Sequence, residues 1–477
     1  MTQTFYWYDY ETWGIDPRYT RPSQFAGIRT DLDFNQIGDS LSIYAKPAED
    51  ILPDPDAVMI TGITPQKAIE EGISEAEFAK LIHTQLTQPD TISLGYNTLR
   101  FDEPFNRYLF WRNFYDPFAH GWKDGCSTWD IIDMVRLTRA LRPDGINWPE
   151  ENGKPTNRLE KLSVANNIEH ADAHDALSDV RATIAIAKLI KTNQPKLFDY
   201  VFNHRDKKSV LSILDPKNLV PVVHASDKFG SDVLGTAVVV PVATIEDGRK
   251  ILVFDLKTDP ASVLDREPQD ITDNLFTPKA LLGDDVERIG VKGIKLNAAP
   301  VIAPLVTVDS SAAERIKYNP EKSKKYLEII QKHSAELSEK LASAFSLESN
   351  LGSGKSSQVQ FVDAEAKLYD GFLSDADRSL ATKVLNGELD VSFKDERMQD
   401  MLWRYKARNF ADKLTNEERQ KWYDYRVERL TKSPTNFDRF AKRIQELSAQ
   451  EDIAADKKHL LEQLQLYAES IYPYEDF

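Results

Sequence analysis

Asp9 and Glu11 stand two residues apart at the end of the aromatic run FYWYDY at 5–10, a strand candidate. Side chains alternate along a strand, so both carboxylates face the same side of a sheet. Partly buried, such a pair would repel and take up protons unless a hard divalent cation, Mg²⁺ or Mn²⁺, holds both ionised; a solvated strand end is the plain alternative. Asp102 closes the segment Gly95-Tyr-Asn-Thr-Leu-Arg-Phe-Asp102 after an apolar strand candidate at 92–96, where a loop acid can face the same cleft. His174 and Asp179, in His174-Asp-Ala-Leu-Ser-Asp179, fall at the entry and in the early turns of a helix candidate, a spacing that can aim both into one site. A histidine near a helix start is otherwise an ordinary surface or capping residue. As a set, four acids and an imidazole match phosphodiester hydrolysis. The acids hold two divalent ions, and a histidine that titrates near neutrality takes the proton of the attacking water.

The elements that must position these groups follow from pattern. Strand candidates lie at 5–10, 36–45 and 92–96, and Ser74 with Glu77 opens a helix carrying Phe78, Leu81, Ile82 and Leu86. Helices are predicted over 128–141 and 173–191, the second with Ala176, Val180, Ile184, Ala187 and Ile190 on one stripe. Residues 1–195 thus read as one α/β domain. From 196 to 350 the β-branched runs at 220–223, 238–242 and 251–256, separated by turn residues, predict a small, mostly β domain. Glu348 to Gln358 (ESNLGSGKSSQ) has the composition of a flexible connection. Amphipathic segments at 395–408, 416–430 and 456–472 make 351–477 a helical domain.

Composition excludes several classes. At 477 residues the chain is long enough for about two to four domains. Its one cysteine, Cys126, rules out an internal disulfide scaffold and a zinc finger and fits a reducing cytoplasm. The most apolar stretch, 235–243, is too short to span a bilayer, and the N-terminus lacks a basic signal region, so neither membrane insertion nor export is expected. A net charge of −16 argues against nucleic-acid binding through overall charge, but leaves room for a local basic or metal-bridged groove. Ser353-Gly-Lys-Ser356 lacks the first glycine and the preceding strand of a phosphate loop, which excludes nucleoside triphosphate binding there.

Asp9-Tyr-Glu11, Tyr96-Asn-Thr-Leu-Arg-Phe-Asp102 and His174-Asp-Ala-Leu-Ser-Asp179 resemble, in this order, the three motifs of the DEDDh 3′→5′ exonucleases. That ribonuclease H-like group includes proofreading subunits. The segments at 21–29, 60–65, 112–117, 140–149, 368–378 and 405–410 are similar to one bacterial branch of it, with a weaker likeness between about 225 and 350. The resemblance implies an α/β ribonuclease H-like exonuclease domain, an SH3-like β domain and an all-α C-terminal domain enclosing a groove for single-stranded DNA. It implies Asp9, Glu11, Asp102 and Asp179 as the acids for two Mg²⁺ ions, with Mn²⁺ able to substitute, and His174 as the general base. The activity implied is processive 3′→5′ release of 5′-mononucleotides in DNA repair and recombination, with recruitment by the C-terminal tail of single-stranded DNA-binding protein. A cytoplasmic monomer is expected. The rival readings are an RNA 3′-end trimming enzyme and a non-catalytic single-strand binding protein.

Substrate contacts are read with their alternatives. Glu11 is expected to face substrate as well as metal. Arg158 resembles the family's arginine facing the site and suits a phosphate, or else is an exposed helix arginine. Trp13 and Ile63 follow motif positions where related exonucleases pack apolar groups against terminal bases, or else belong to the core. Arg107, Phe118 and Trp122 lie in an aromatic and basic stretch that reads as a stacking path or as buried packing.

Overall fold

Thr4–Thr12 extends as β1 and pairs antiparallel with β2 (Pro22–Thr30), which pairs antiparallel with β3 (Leu41–Tyr44); on its other edge β1 runs parallel to β4 (Thr91–Gly95). With β5 (Ser127–Asp130) the sheet has the order β3-β2-β1-β4-β5. This computed structural model describes residues 2–170, 174–278, 281–283, 286–352, 363–450 and 452–473. Tyr6, Tyr8 and Tyr10 share one face of β1 and join Phe25, Phe78, Ile82, Phe105 and Phe110 in a buried core. Burying a large apolar side chain contributes about 2 kcal/mol. The aromatic face is therefore committed to the interior, and the alternation leaves Asp9 and Glu11 on the other face.

The chain divides into two compact units, Met1–Thr128 with His170–Arg181 and Val359–Phe477, and Trp129–Glu169 with Ala182–Gln358. In the first, the C-terminal segment folds as helices Asp375–Leu385, Glu396–Asn409, Asn416–Lys432, Phe437–Ser448 and Ala455–Ile471. Four of these begin on a side chain that accepts from a first-turn N–H: Ser374, Asp395, Thr415 and Asn436. Their apolar faces close two cores with the N-terminal segment, one around Trp13, Ile63, Phe440 and Leu464 and one around Trp111, Phe114, Met401 and Tyr405.

The second unit holds a two-stranded ribbon, β6 (Glu150–Glu151) with β7 (Lys154–Pro155), and a five-stranded antiparallel sheet. The sheet comprises β8 (Val222–Ala225), β9 (Thr236–Ile245), β10 (Lys250–Asp255), β11 (Val291–Lys295) and β12 (Ile302–Pro304), in the order β11-β10-β9-β8-β12. Pro241 sits in β9 opposite Val253, at the register shift between Leu252 and Val253, where a strand tolerates a residue without an N–H.

Several local expectations shift. The helix expected over 128–141 starts at Ile132, because Ser127–Asp130 is a strand and the Asp130 carboxylate accepts from the Ile132 N–H. The strand expected over 36–45 is confined to Leu41–Tyr44. The region 196–350 is richer in helix than its β-branched runs announced, with Pro195–Asn203, Lys207–Ile213, Pro320–Lys332 and Ser334–Gly352 flanking the strands. The last of these runs through the first five residues of the expected flexible connection, since nothing in Glu-Ser-Asn-Leu breaks a helix before Gly352. Residues 353–358 of that connection, with the rejected phosphate-loop segment, lie outside the described residues.

Candidate active site

Asp9 and Glu11 lie near the end of β1, opposite Ala26 and Gln24 of β2, with a register shift immediately after Glu11. Asp102 opens the helix Asp102–Arg112 and accepts from the Tyr10 N–H at Oδ1, 3.0 Å away, which brings it to the strand between the first two acids. The same helix is pinned from behind. Asn106, fully buried, accepts from the Tyr10 hydroxyl at 2.7 Å and donates to the Tyr8 hydroxyl at 3.0 Å. Close approach of β4 needs a glycine at its end, since a Cβ on Gly95 would fall 2.5 Å from the Tyr8 carbonyl oxygen.

His174 and Asp179 complete the group. His174 is exposed and left-handed, at φ 70°, a conformation that histidine visits more readily than most residues. One side-chain ligand atom each of Glu11, His174 and Asp179 lie within 4.8 Å of one another. His170, a residue that motif spacing passed over, bonds through Nε2 to Asp179 Oδ1 and is itself buried. The available signal was a second histidine four residues before the first in the same short stretch. Asp175 also stands among the acids and helps raise both Asp9 and Glu11.

The electrostatics show what this cluster lacks. Burial, then the charges of Asp102, Glu11, Asp179 and Asp175, push Asp9 well above the usual carboxylate range. Burial, then Asp179, Asp102 and Asp175, push Glu11 up to about 9. Asp179 is raised by burial, against the lowering influence of His170 and His174. Buried oxygen donors in this number, held against mutual repulsion, fit hard divalent cations, which favour carboxylate ligands and would restore the ionised state.

The remaining predicted residues are dispersed. Trp13 and Ile63, 2% and 5% exposed, lie in the core with Leu430 and Phe440, so their packing role is the one the structure displays. On the same loop the exposed apolar side chain is Ile15, at 82%. Arg107 donates from Nε to Glu103 at 2.9 Å and lies 5.4 Å from the Phe118 ring centroid. Phe118 and Trp122 are exposed at 38% and 66% and line a cavity of about 700 Å³ with Tyr115, Lys123, Phe372 and Arg378. Arg158, in the second unit, precedes the helix Leu159–Ala165; its side chain is 63% exposed and 3.5 Å from Glu151.

Three family models match: an exonuclease model over residues 6–187, the exonuclease I SH3-like domain over 205–347 and the exonuclease I C-terminal domain over 362–471. The exodeoxyribonuclease I of Escherichia coli K12 is 41% identical over 476 residues, 98% of each chain. The crystal structure of E. coli exonuclease I in complex with a dA16 oligonucleotide superposes with a TM-score of 0.91 at 41% identity, covering 98% of this chain and 100% of the other. A zinc-ion-bound form of the E. coli enzyme with single-stranded DNA also gives 0.91, at 40% identity over 99% and 100% of the two chains.

Proposed function

Because the chain belongs to the exodeoxyribonuclease I family, we propose that it hydrolyses single-stranded DNA from the 3′ end and releases 5′-mononucleotides, with Asp9, Glu11, Asp102 and Asp179 binding divalent metal and His174 acting as general base. The observation that carries this reading is the gathering of Glu11, His174 and Asp179 within 4.8 Å, beside the half-buried Asp9 of raised pKa and the buried Asp102 bonded to the strand. The metal is a pair of Mg²⁺ ions for which Mn²⁺ substitutes. Ions held there would lower the pKa of the attacking water and neutralise charge developing on the phosphate. His174, exposed beside the acids, takes the proton of that water and passes it to solvent. Asp179 is oriented by the His170 bond, and Asp102 by the Tyr10 N–H.

Substrate contacts belong to the same proposal. Arg107, Phe118 and Trp122 offer a cation and two exposed rings, contacts indifferent to sequence, along which a strand can advance by one nucleotide without releasing all its contacts. Glu11 and Ile15 face the terminal nucleotide, Trp13 and Ile63 form the packed floor beneath the loop, and the Arg158 guanidinium takes a phosphate. Domains at 1–195, 196–350 and 351–477, a monomeric cytoplasmic protein, a role in DNA repair and recruitment by the C-terminal tail of single-stranded DNA-binding protein complete it. No described helix is long and apolar enough to cross a membrane.

The test is digestion of a 5′-labelled single-stranded DNA with Mg²⁺, with and without chelator, beside a matched RNA. The DNA is expected to shorten from its 3′ end and the chelator to stop it. Faster trimming of RNA would favour the RNA enzyme, and undiminished DNA digestion in chelator would remove the metal-dependent mechanism.

A further inference from the structure

Gln24 is 1% exposed, lies directly across β2 from Glu11, and has no part in the chemistry so far assigned. Its amide grips the loop that carries the base. Nε2 donates to Asp175 Oδ1 at 2.9 Å, and Oε1 accepts from the Ala176 N–H at 3.3 Å. Only one orientation of the amide satisfies both, because a carboxylate cannot donate and a backbone N–H cannot accept. The Nε2 also stands 3.4 Å from the Tyr44 hydroxyl on the next strand. Asp175 in turn caps the following helix, accepting from the Ser178 N–H at 3.1 Å.

The residue immediately before this double contact is His174, held at φ 70°. A left-handed non-glycine residue persists only where its surroundings over-determine it, and the two residues after His174 are those Gln24 holds. We propose that Gln24 is a positioning residue for His174: it latches the histidine-bearing loop to the strand pair that carries Glu11, so that imidazole and carboxylate meet. The proposal rests on the reading of His174 as general base. Gln24 touches neither substrate nor the reacting atoms; its effect passes through the loop.

The experiment compares wild type, Gln24→Leu, His174→Ala and the double variant on a single-stranded DNA oligonucleotide with Mg²⁺. Gln24→Leu is expected to lower kcat about 10- to 100-fold with KM within about 2-fold, as a displaced catalytic group does. In the His174→Ala background the same change is expected to cost less than about 2-fold, because the group it positions is gone. Hydrogen exchange at the Ala176 amide should speed by about 10-fold or more in Gln24→Leu, a readout independent of turnover. If Gln24→Leu does not fold, the isosteric Gln24→Glu, which loses the donor to Asp175, is expected to show the same pattern. Undiminished kcat, or an equal loss in both backgrounds, overturns the latch. Wild-type kcat in His174→Ala alone overturns the base assignment, and the latch with it.

Discussion

Glu11 and Glu75 belong to the same compact unit and both are largely buried, yet burial and its neighbours push Glu11 up to about 9 whereas Glu75 comes down to about 2. Around Glu11 the charged neighbours are Asp179, Asp102 and Asp175. Around Glu75, burial alone would raise the pKa, but Arg112, Arg21 and Arg408 outweigh it. Glu75 is one corner of a buried lattice in which Arg21 bridges Glu75 and Glu365 at 3.0 and 2.8 Å, Arg408 meets Asp50 at 2.7 Å and Arg429 meets Asp363 at 2.7 Å. Arg404 and the Tyr425 hydroxyl also bond Asp363. The lattice balances its carboxylates with guanidinium groups of the same chain and joins residues 21–112 to residues 363–429. Around Asp9 and Glu11 the charged groups that shift the pKa are other carboxylates, and His170 and His174 oppose that repulsion only at Asp179. Two clusters rich in carboxylates thus differ in their neighbours: one is paired with arginines of the chain, the other is made largely of mutually repelling acids.

The contrast is broken most severely at Asp9. Asp9→Asn would remove a proposed metal ligand together with a crowded acid that must take up a proton for the metal-free chain to fold, so kcat on single-stranded DNA should fall on the order of 10³-fold while the metal-free melting temperature rises by a few degrees. A variant with lowered stability and retained turnover would mean the acid is structural. In the lattice the expectation reverses. Glu365→Ala leaves Arg21 with Glu75 and Arg408 with Asp50 but the buried lattice one negative charge short, and should cost about 3–5 kcal/mol in urea unfolding, with turnover per folded molecule preserved.

A finer test is His170→Asn, which removes the bond to Asp179 while leaving all four acids. Mn²⁺ affinity measured by calorimetry should weaken about 10- to 100-fold, and unchanged affinity would show that the imidazole does not orient the ligand. The gentlest probe is pH. In the folded chain without metal Glu11 keeps its proton up to about 9, against 4.5 ordinarily. Between those values the folded state binds more protons than the unfolded, so its stability falls as pH rises. Glu75 and Asp50, both lowered to about 2, act oppositely: their contribution is full above the ordinary carboxylate range and is lost as pH falls toward 2. Melting temperature in chelator should therefore decline from pH 6 to pH 9, and Mg²⁺ or Mn²⁺ should flatten that decline. A profile unaffected by metal would contradict a cation site among these acids.

Much of the geometry of the candidate site was legible because its parts are local. A period of two places Asp9 and Glu11 on one face whatever the rest of the chain does, and an apolar strand followed by an acid marks Asp102. The ends of three of the five C-terminal helices were readable within a residue or two, since caps such as Asp395 and Thr415 act on their own first turns, whereas Asp375–Leu385 and Phe437–Ser448 were not anticipated. Trp13 and Ile63 were not decidable in this way. An aromatic beside a motif looks the same whether it faces a base or is covered by Phe440 and Leu464, which follow some four hundred residues later. His170 and Gln24 were passed over for a related reason: a histidine and a glutamine carry no periodic signal, and their meaning lies in Asp179, Asp175 and the Ala176 N–H.

What the amino-acid order determined by itself was which residue types could do chemistry and which face of each element they occupy, because backbone periodicity depends on neighbours along the chain. Tertiary structure alone decided which acids meet a cation within the chain and which do not, because a pKa is set by charges close in space, and those at Glu75 come from Arg21, Arg112 and Arg408, far apart in sequence.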